Sequence, residues 1–270
     1  MMKKEYNFAA SEKMPLLFLG HGNPMNAIEE NQFVEGFRNI AKILPKPESI
    51  LCISAHWYTK GTRVTSMMNP KTIHDFSGFP KQLYEVQYPA KGNPTLASKT
   101  KDILKPTIVN LDETWGLDHG TWSVIKHLFP KANIPVIQLS IDFTKPASYH
   151  FKLASQLISL REKGILIIGS GNIIHNLGLV DFQNINKTDY GYDWAIEARN
   201  IINKNILDGN YKSLAEYQEL PKAIQLAIPT PDHYLPLIYI LGLQKKGEGV
   251  TLFNDELIAG SLSMTSLIIN

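Results

Sequence analysis

One cysteine in 270 residues, Cys52, excludes an internal disulfide and any cysteine-based metal cluster. It stands inside the apolar run Ile50-Leu51-Cys52-Ile53, so it is expected to be a small buried hydrophobe. No run approaches the roughly 18 apolar residues of a membrane span. Residues 1–15 are polar and lack an apolar export segment, so a cytoplasmic protein with no membrane partner is expected. A formal net charge of +2, with no stripe of basic and aromatic residues, speaks against a nucleic-acid partner. HExxH, CxxC, aspartate-rich, phosphate-loop and GxSxG patterns are all missing. Gly169-Ser170-Gly171 begins like a dinucleotide turn, but Ile174 stands where the third glycine belongs.

What the chain does have is a repeated way of presenting histidine. Leu16-Leu17-Phe18-Leu19-Gly20-His21-Gly22-Asn23-Pro24 reads as a buried strand that ends on an imidazole between two glycines. Ile50-Leu51-Cys52-Ile53-Ser54-Ala55-His56 does the same. So does the apolar run from Ile165 into Gly169-Ser170-Gly171-Asn172, with His175 just beyond. A buried strand delivers a side chain to a fixed point, and imidazole is the commonest neutral metal ligand. Three such strand ends fit one shared metal site. They fit a buried hydrogen-bonding network equally well, and spacing alone does not separate the two.

Between these strands lie helical patterns over residues 27–44, 94–104, 121–129, 146–163 and 192–207, and an apolar helix over 234–243. Further strands are expected at 63–67, 107–111 and 134–141, with a strictly alternating one at 261–267. This alternation predicts an α/β fold: a central, mainly parallel sheet flanked by helices on both faces. With no repeat, linker or low-complexity tract, residues 1–270 read as a single catalytic domain, residues 1–14 forming a flexible lead. In such folds sites lie beyond the carboxyl ends of the strands, where His21, His56 and His175 fall. Pro236 belongs in the first turn of its helix, which puts His233 at the helix lip. The aromatic, turn-rich segment 69–93 reads as a functional loop, in which His74 either lines a site or faces solvent. His127 and His150 lie within helices and are expected at the surface. Trp57, Phe79, Trp115 and Tyr234 are candidates for stacking on an aromatic ligand or for ordinary packing.

Six ordered motifs extend this reading. Gly20-His21-Gly22-Asn23-Pro24, Ser54-Ala55-His56-Trp57, His74-Asp75-Phe76-Ser77-Gly78-Phe79-Pro80, Trp115-Gly116-Leu117-Asp118-His119-Gly120, Gly171-Asn172-Ile173-Ile174-His175-Asn176 and Thr230-Pro231-Asp232-His233-Tyr234 are quoted in chain order. Together they resemble the 4,5-DOPA extradiol dioxygenase family, a branch of the class III extradiol ring-cleavage dioxygenases. The resemblance runs from about residue 15 to the strand near 261–264.

That resemblance implies extradiol cleavage of a DOPA-like catechol by O2. It implies one divalent metal ion held by His21, His56 and His233, with zinc expected on purification and non-haem Fe(II) expected for ring cleavage. It assigns His175 as the acid/base, close enough to be a fourth ligand, and His119 as a histidine touching substrate or oxygen. For His175 and His119 the competing role is a turn or helix cap. His233 departs from the two-histidine, one-glutamate set of the better-known class III enzymes, and Ser77 replaces an aromatic typical of plant relatives. Two rival functions remain at this level: a zinc hydrolase using the same histidines, and a non-catalytic binding protein.

Overall fold

Within β1 (Leu16–Gly20), Leu16 and Phe18 enter one apolar cluster while Leu17 and Leu19 enter another. This two-residue alternation splits the core into two layers on either side of a sheet. The structure, a computed structural model, describes residues 13–185 and 187–270. After β1 a 3-10 turn (Pro24–Ala27) leads to α1 (Gln32–Ile43), β2 (Ser49–Thr59) and β3 (Thr62–Thr65). The loop region contains β4 (Lys71–Thr72) and α2 (Lys81–Tyr84), and α3 (Pro94–Ile103) follows. Next come β5 (Val109–Asp112), β6 (Gly116–Leu117), α4 (His119–Leu128) and β7 (Val136–Asp142). Helix α5 (Ala147–Ser155) precedes β8 (Ile165–Gly171) and α6 (Asp193–Leu207). The chain closes with α7 (Tyr211–Ala215), α8 (Lys222–Ala227), α9 (Leu235–Gly242), β9 (Val250–Phe253), β10 (Leu257–Ile258), β11 (Leu262–Ser263) and β12 (Ser266–Ile269).

The main sheet has the order β5-β3-β7-β2-β8-β1-β12-β9. Its centre, β7-β2-β8-β1, is parallel throughout, and β12 and β9 add an antiparallel edge. This is the expected mainly parallel α/β architecture. Helices α5, α6 and α9 cover one face, α1 and α4 the other. Cys52 is fully buried in the second layer.

Helix α9 is apolar all round because it lies against β8 and under α5. It comes so close that a Cβ on Gly169 would sit 2.6 Å from the Pro236 carbonyl oxygen, and one on Gly171 would run into the carbonyl of His233. These glycines set how near the start of α9 stands to the end of β8.

Several expectations change. The helix expected over 27–44 is two elements, since the Asn31 side chain caps a new start by accepting from the N–H groups of Phe33 and Val34. The helix expected over 146–163 gives way after Ser155 to 3-10 turns. The alternating tail is no single strand: β11 and β12 are separate pieces, and Ser261, Ser263, Thr265 and Ser266 are all buried. Their hydroxyls are satisfied internally, for instance Thr265 Oγ1 donating to Asp255 at 2.7 Å. His127 and His150 are buried as well. His150 is 0% exposed, with Nδ1 2.9 Å from the Tyr239 hydroxyl, and burial lowers its pKa to about 4. His127 Nε2 donates to the Asn26 carbonyl at 2.8 Å. Each ring exchanges water for one internal hydrogen bond, which helix position alone does not reveal.

The expected flexible lead lies outside the described residues except for Lys13 and Met14, which are anchored. Met14 is buried, its N–H bonds the Arg161 carbonyl at 3.0 Å, and its own carbonyl accepts from Arg161 Nε at 2.8 Å. Arg161, 1% exposed, also grips Glu248 through Nη1 and Nη2 at 2.9 and 2.6 Å, and Lys13 pairs with the same carboxylate. Burial would raise the Glu248 carboxyl, but the donors from Arg161, Lys13 and the Lys245 N–H outweigh it and hold the pKa at about 2. The pair's stabilisation is therefore complete above the unfolded glutamate pKa and lost as pH falls through about 2. Glu248→Gln is expected to cost about 3 kcal/mol at pH 7, since it strands a buried guanidinium. Denaturant melts should show the gap from wild type closing as pH drops from about 4.5 toward 2. A gap independent of pH would contradict this.

Candidate metal centre and active site

The parallel strands end at one edge of the sheet, and five imidazoles gather there. His21 follows β1 directly, with its N–H held by the Gly171 carbonyl at 3.0 Å, and Gly22 turns the chain away at φ 61°. His56 lies inside β2 where pairing with β7 loses register between Ile53 and Tyr58, an irregularity that re-aims the side chain. His233 sits just before α9, and its carbonyl accepts the Asn172 N–H at 2.9 Å, which pins the helix start to the end of β8. His119 opens α4, capped by Asp118. His175 lies beyond β8 and bridges to Leu262.

Hydrogen bonds fix the tautomers of the His21 and His233 rings, and a carboxylate faces the Nδ1 of a third, His56. Ser170 Oγ donates to the Gly120 carbonyl at 2.5 Å, so toward His21 it is an acceptor, and His21 Nδ1 must supply the proton across 3.0 Å. His233 Nδ1 donates to Asp232. His56 Nδ1 faces Asp75 Oδ2 at 3.4 Å. Each ring therefore turns an Nε2 lone pair away from its partner. The Nε2 atoms of His21 and His56 stand 3.3 Å apart, and His21, His56 and His233 offer ligand atoms all within 4.8 Å of one another. Tetrahedral metal–imidazole bonds of 2.0–2.1 Å place neighbouring nitrogens about 3.3 Å apart. The donor set thus fits one borderline divalent ion.

Electrostatics agree. Burial, then repulsion from the other imidazoles, lowers the pKa of His21, and burial with repulsion from His119 and His233 lowers that of His56. Neutral rings keep their lone pairs free for a cation. Asp75 and Asp232 remain ionised despite burial, because His119 and His233 respectively bond to them.

The other two histidines take different positions. His119 donates its N–H to Asp75 Oδ1 at 2.8 Å and sets Nδ1 2.9 Å from Oδ2, its ring 3.8 Å from that of His56. His175 lies face to face on His233, centroids 3.5 Å apart and planes 9° from parallel. Burial and His233 lower its pKa to about 3.

The 69–93 segment earns its place by supplying Asp75 and by packing Phe76 5.4 Å from the His119 ring. His74 is part of this lid, within 6 Å of the Phe76 and Trp122 rings, with Nε2 donating to the Val86 carbonyl. Phe79 packs on Phe76. Tyr234 is core, its hydroxyl donating to the Leu214 carbonyl at 3.0 Å. Trp57 and Trp115 stack on each other, 5.9 Å apart. Two clefts open on the surface, one reaching His56 and one lined by neighbours of His21 in the chain. One of about 390 Å³ is lined by His56, Trp115 and Phe143, the other of about 460 Å³ by Asn23, Phe33 and Leu262.

Sequence reasoning passed over Asp75, Asp232 and Ser170, the three partners of the Nδ1 atoms, although two of them adjoin a histidine in the chain. It also passed over Asp118, a buried carboxylate that accepts from Ser54 Oγ at 2.7 Å, Gln138 Nε2 at 2.6 Å and the Thr121 N–H at 3.0 Å. Asp75→Asn and Asp232→Asn are each expected to weaken metal binding roughly 10- to 100-fold while the fold persists. Competition with a chromogenic chelator checks this, and unchanged affinity in both variants would refute the role.

The family described as the catalytic LigB subunit of aromatic ring-opening dioxygenase matches residues 15–254. The chain is 42% identical over 264 residues to 4,5-DOPA dioxygenase extradiol of Escherichia coli (strain K12), covering 96% of this chain and 95% of that protein. It is 34% identical to the protein of the same name from Beta vulgaris, covering 92% and 94% respectively. A crystal structure of an uncharacterized protein from Escherichia coli K12 superposes with a TM-score of 0.81 at 38% identity, covering 95% of this chain and all of that one.

Proposed function

Because this chain belongs to the family of catalytic LigB subunits of aromatic ring-opening dioxygenases, we propose that it opens a DOPA-like catechol at an extradiol bond, using His21, His56 and His233 to hold the metal ion. The enzyme is metal-dependent and acts on an aromatic substrate with O2. The observation that carries the ligand assignment is the convergence of the three ligand nitrogens, with Ser170 and Asp232 bonded to Nδ1 of His21 and His233 and the Asp75 carboxylate facing Nδ1 of His56. A zinc hydrolase or a passive binding protein on the same fold is disfavoured by the family and by the extradiol relatives.

When bound, the ion acidifies the catechol hydroxyls and, as Fe(II), supplies the redox chemistry that O2 needs. The protein's own residues do the rest. Ser170, Asp75 and Asp232 hold the ligand rings in the tautomer that leaves Nε2 unprotonated. His175, held neutral against His233, is placed to take the proton of a substrate hydroxyl and to return one to the product. Asp75 fixes His119 at the substrate side through both its backbone and its ring. Phe76 and the lid around it exclude water from the reacting ring.

Anaerobic reconstitution with Fe(II), then L-DOPA and air, is expected to give O2 uptake and a yellow product. The zinc form should bind the catechol without O2 uptake. Protein shown to contain Fe(II) but inactive toward every catechol would sink this reading. Substitutions separate the roles. His21→Ala should lose the metal, whereas His175→Ala should keep it and lose turnover by about 100-fold or more. Metal analysis of both decides the matter, since loss of metal in His175→Ala makes that residue a fourth ligand.

A further inference from the structure

The two clefts differ in what they offer a ligand. Only the smaller includes a histidine of the site, His56, among its lining residues. Its other lining residues include Trp115, Phe143 and two cations on either side of Gly61: Lys60, just past the end of β2, and Arg63 on β3. The larger cleft mixes Glu29 with Lys187 and carries no such bias.

Arg63 is partly spoken for. Its Nη1 donates to Asp112 Oδ2 at 3.1 Å, its one side-chain hydrogen bond among the described residues. Asp112 is itself fixed, since Oδ1 accepts from the Thr114 N–H, the Thr114 hydroxyl and the Trp115 N–H at 2.8–2.9 Å. The carboxylate therefore acts as a bracket that orients the guanidinium and leaves Nε and Nη2 available. Lys60 is exposed and has no partner among the described residues. Asp142, the nearby acid at the end of β7, is engaged by the Gly61 N–H and by Thr144. An oriented guanidinium with free donors beside a second cation is a receptor for a carboxylate.

We propose that Arg63, assisted by Lys60, binds a carboxylate on the substituent of the catechol, so that this cleft selects acidic catechols over neutral ones. The ring sits at the histidines, the substituent runs along Trp115 and Phe143, and the carboxylate meets the guanidinium. A cleft of about 390 Å³ is within the range of small-ligand sites. The inference deepens the ring-cleavage reading and rests on it.

Binding to the zinc-loaded protein tests the inference without turnover. The probes are 3-(3,4-dihydroxyphenyl)propionate, 4-methylcatechol and dopamine, titrated by calorimetry with metal content and melting temperature checked for every variant. Wild type is expected to bind the acid at least about 10-fold more tightly than either of the others, a gap that narrows with added salt. Arg63→Met should abolish the preference and leave 4-methylcatechol within about 2-fold. Arg63→Lys should restore part of it, and Lys60→Met should reduce it less than Arg63→Met does. Equal weakening of all three probes in Arg63→Met, or a preference that survives both Arg63→Met and Lys60→Met, overturns the subsite. If wild type binds none of the probes, the ring-cleavage reading falls with it. Tight binding of all three without discrimination removes the subsite alone.

Discussion

Three imidazole lone pairs aimed at one point repel one another, and a large part of this chain is arranged to keep them so aimed. No local segment can do this. His21 belongs to β1, His56 to a disturbed stretch of β2, and His233 to the approach of α9. What joins them is the parallel centre of the sheet, whose strands all finish at one edge. The repulsion is tolerated because burial keeps the His21 and His56 rings neutral and because Ser170 and Asp232 accept the Nδ1 protons of His21 and His233. A site of this kind is built as much from serine and aspartate as from histidine.

The placement of charge follows the same logic. A neutral three-histidine set contributes no anion to a divalent ion, unlike a set that includes a glutamate. Here the carboxylates stand further out, beside the far nitrogens of His56 and His233. Asp75 serves His56 and His119 together, so the orientation of a proposed ligand and that of a substrate-side histidine depend on one side chain. Asp118 adds a second tier by capping α4 and tying it to Ser54 on β2 and Gln138 on β7.

The sequence made the skeleton of this arrangement readable, because strands and helices are written in nearest-neighbour periodicity. Apolar runs ending in histidine located three of the five imidazoles, and Pro236 located the fourth at a helix lip. The acceptors were harder. Ser170 and Asp75 become partners of His21 and His56 only through contacts between segments remote in the chain. The burial of His150 depends on Tyr239, 89 residues away, and Arg161 is indistinguishable in sequence from a surface arginine until Glu248 and Met14 close over it. The tail strand failed for a related reason. Serine alternation looks like a solvent-facing pattern, but these hydroxyls face inward and bond to the loops around them.

The glycines of β8 set a limit on how such an enzyme can diversify. With the start of α9 resting against Gly169 and Gly171, even a methyl group at either place meets backbone rather than a side chain that can turn aside. The floor beneath the histidines is closed to gradual change. The walls are not, because the 69–93 lid and the Gly61 turn carry their side chains on loops that lie clear of that contact. New substrates would be accommodated by redecorating those walls over a foundation whose spacing is already at its minimum.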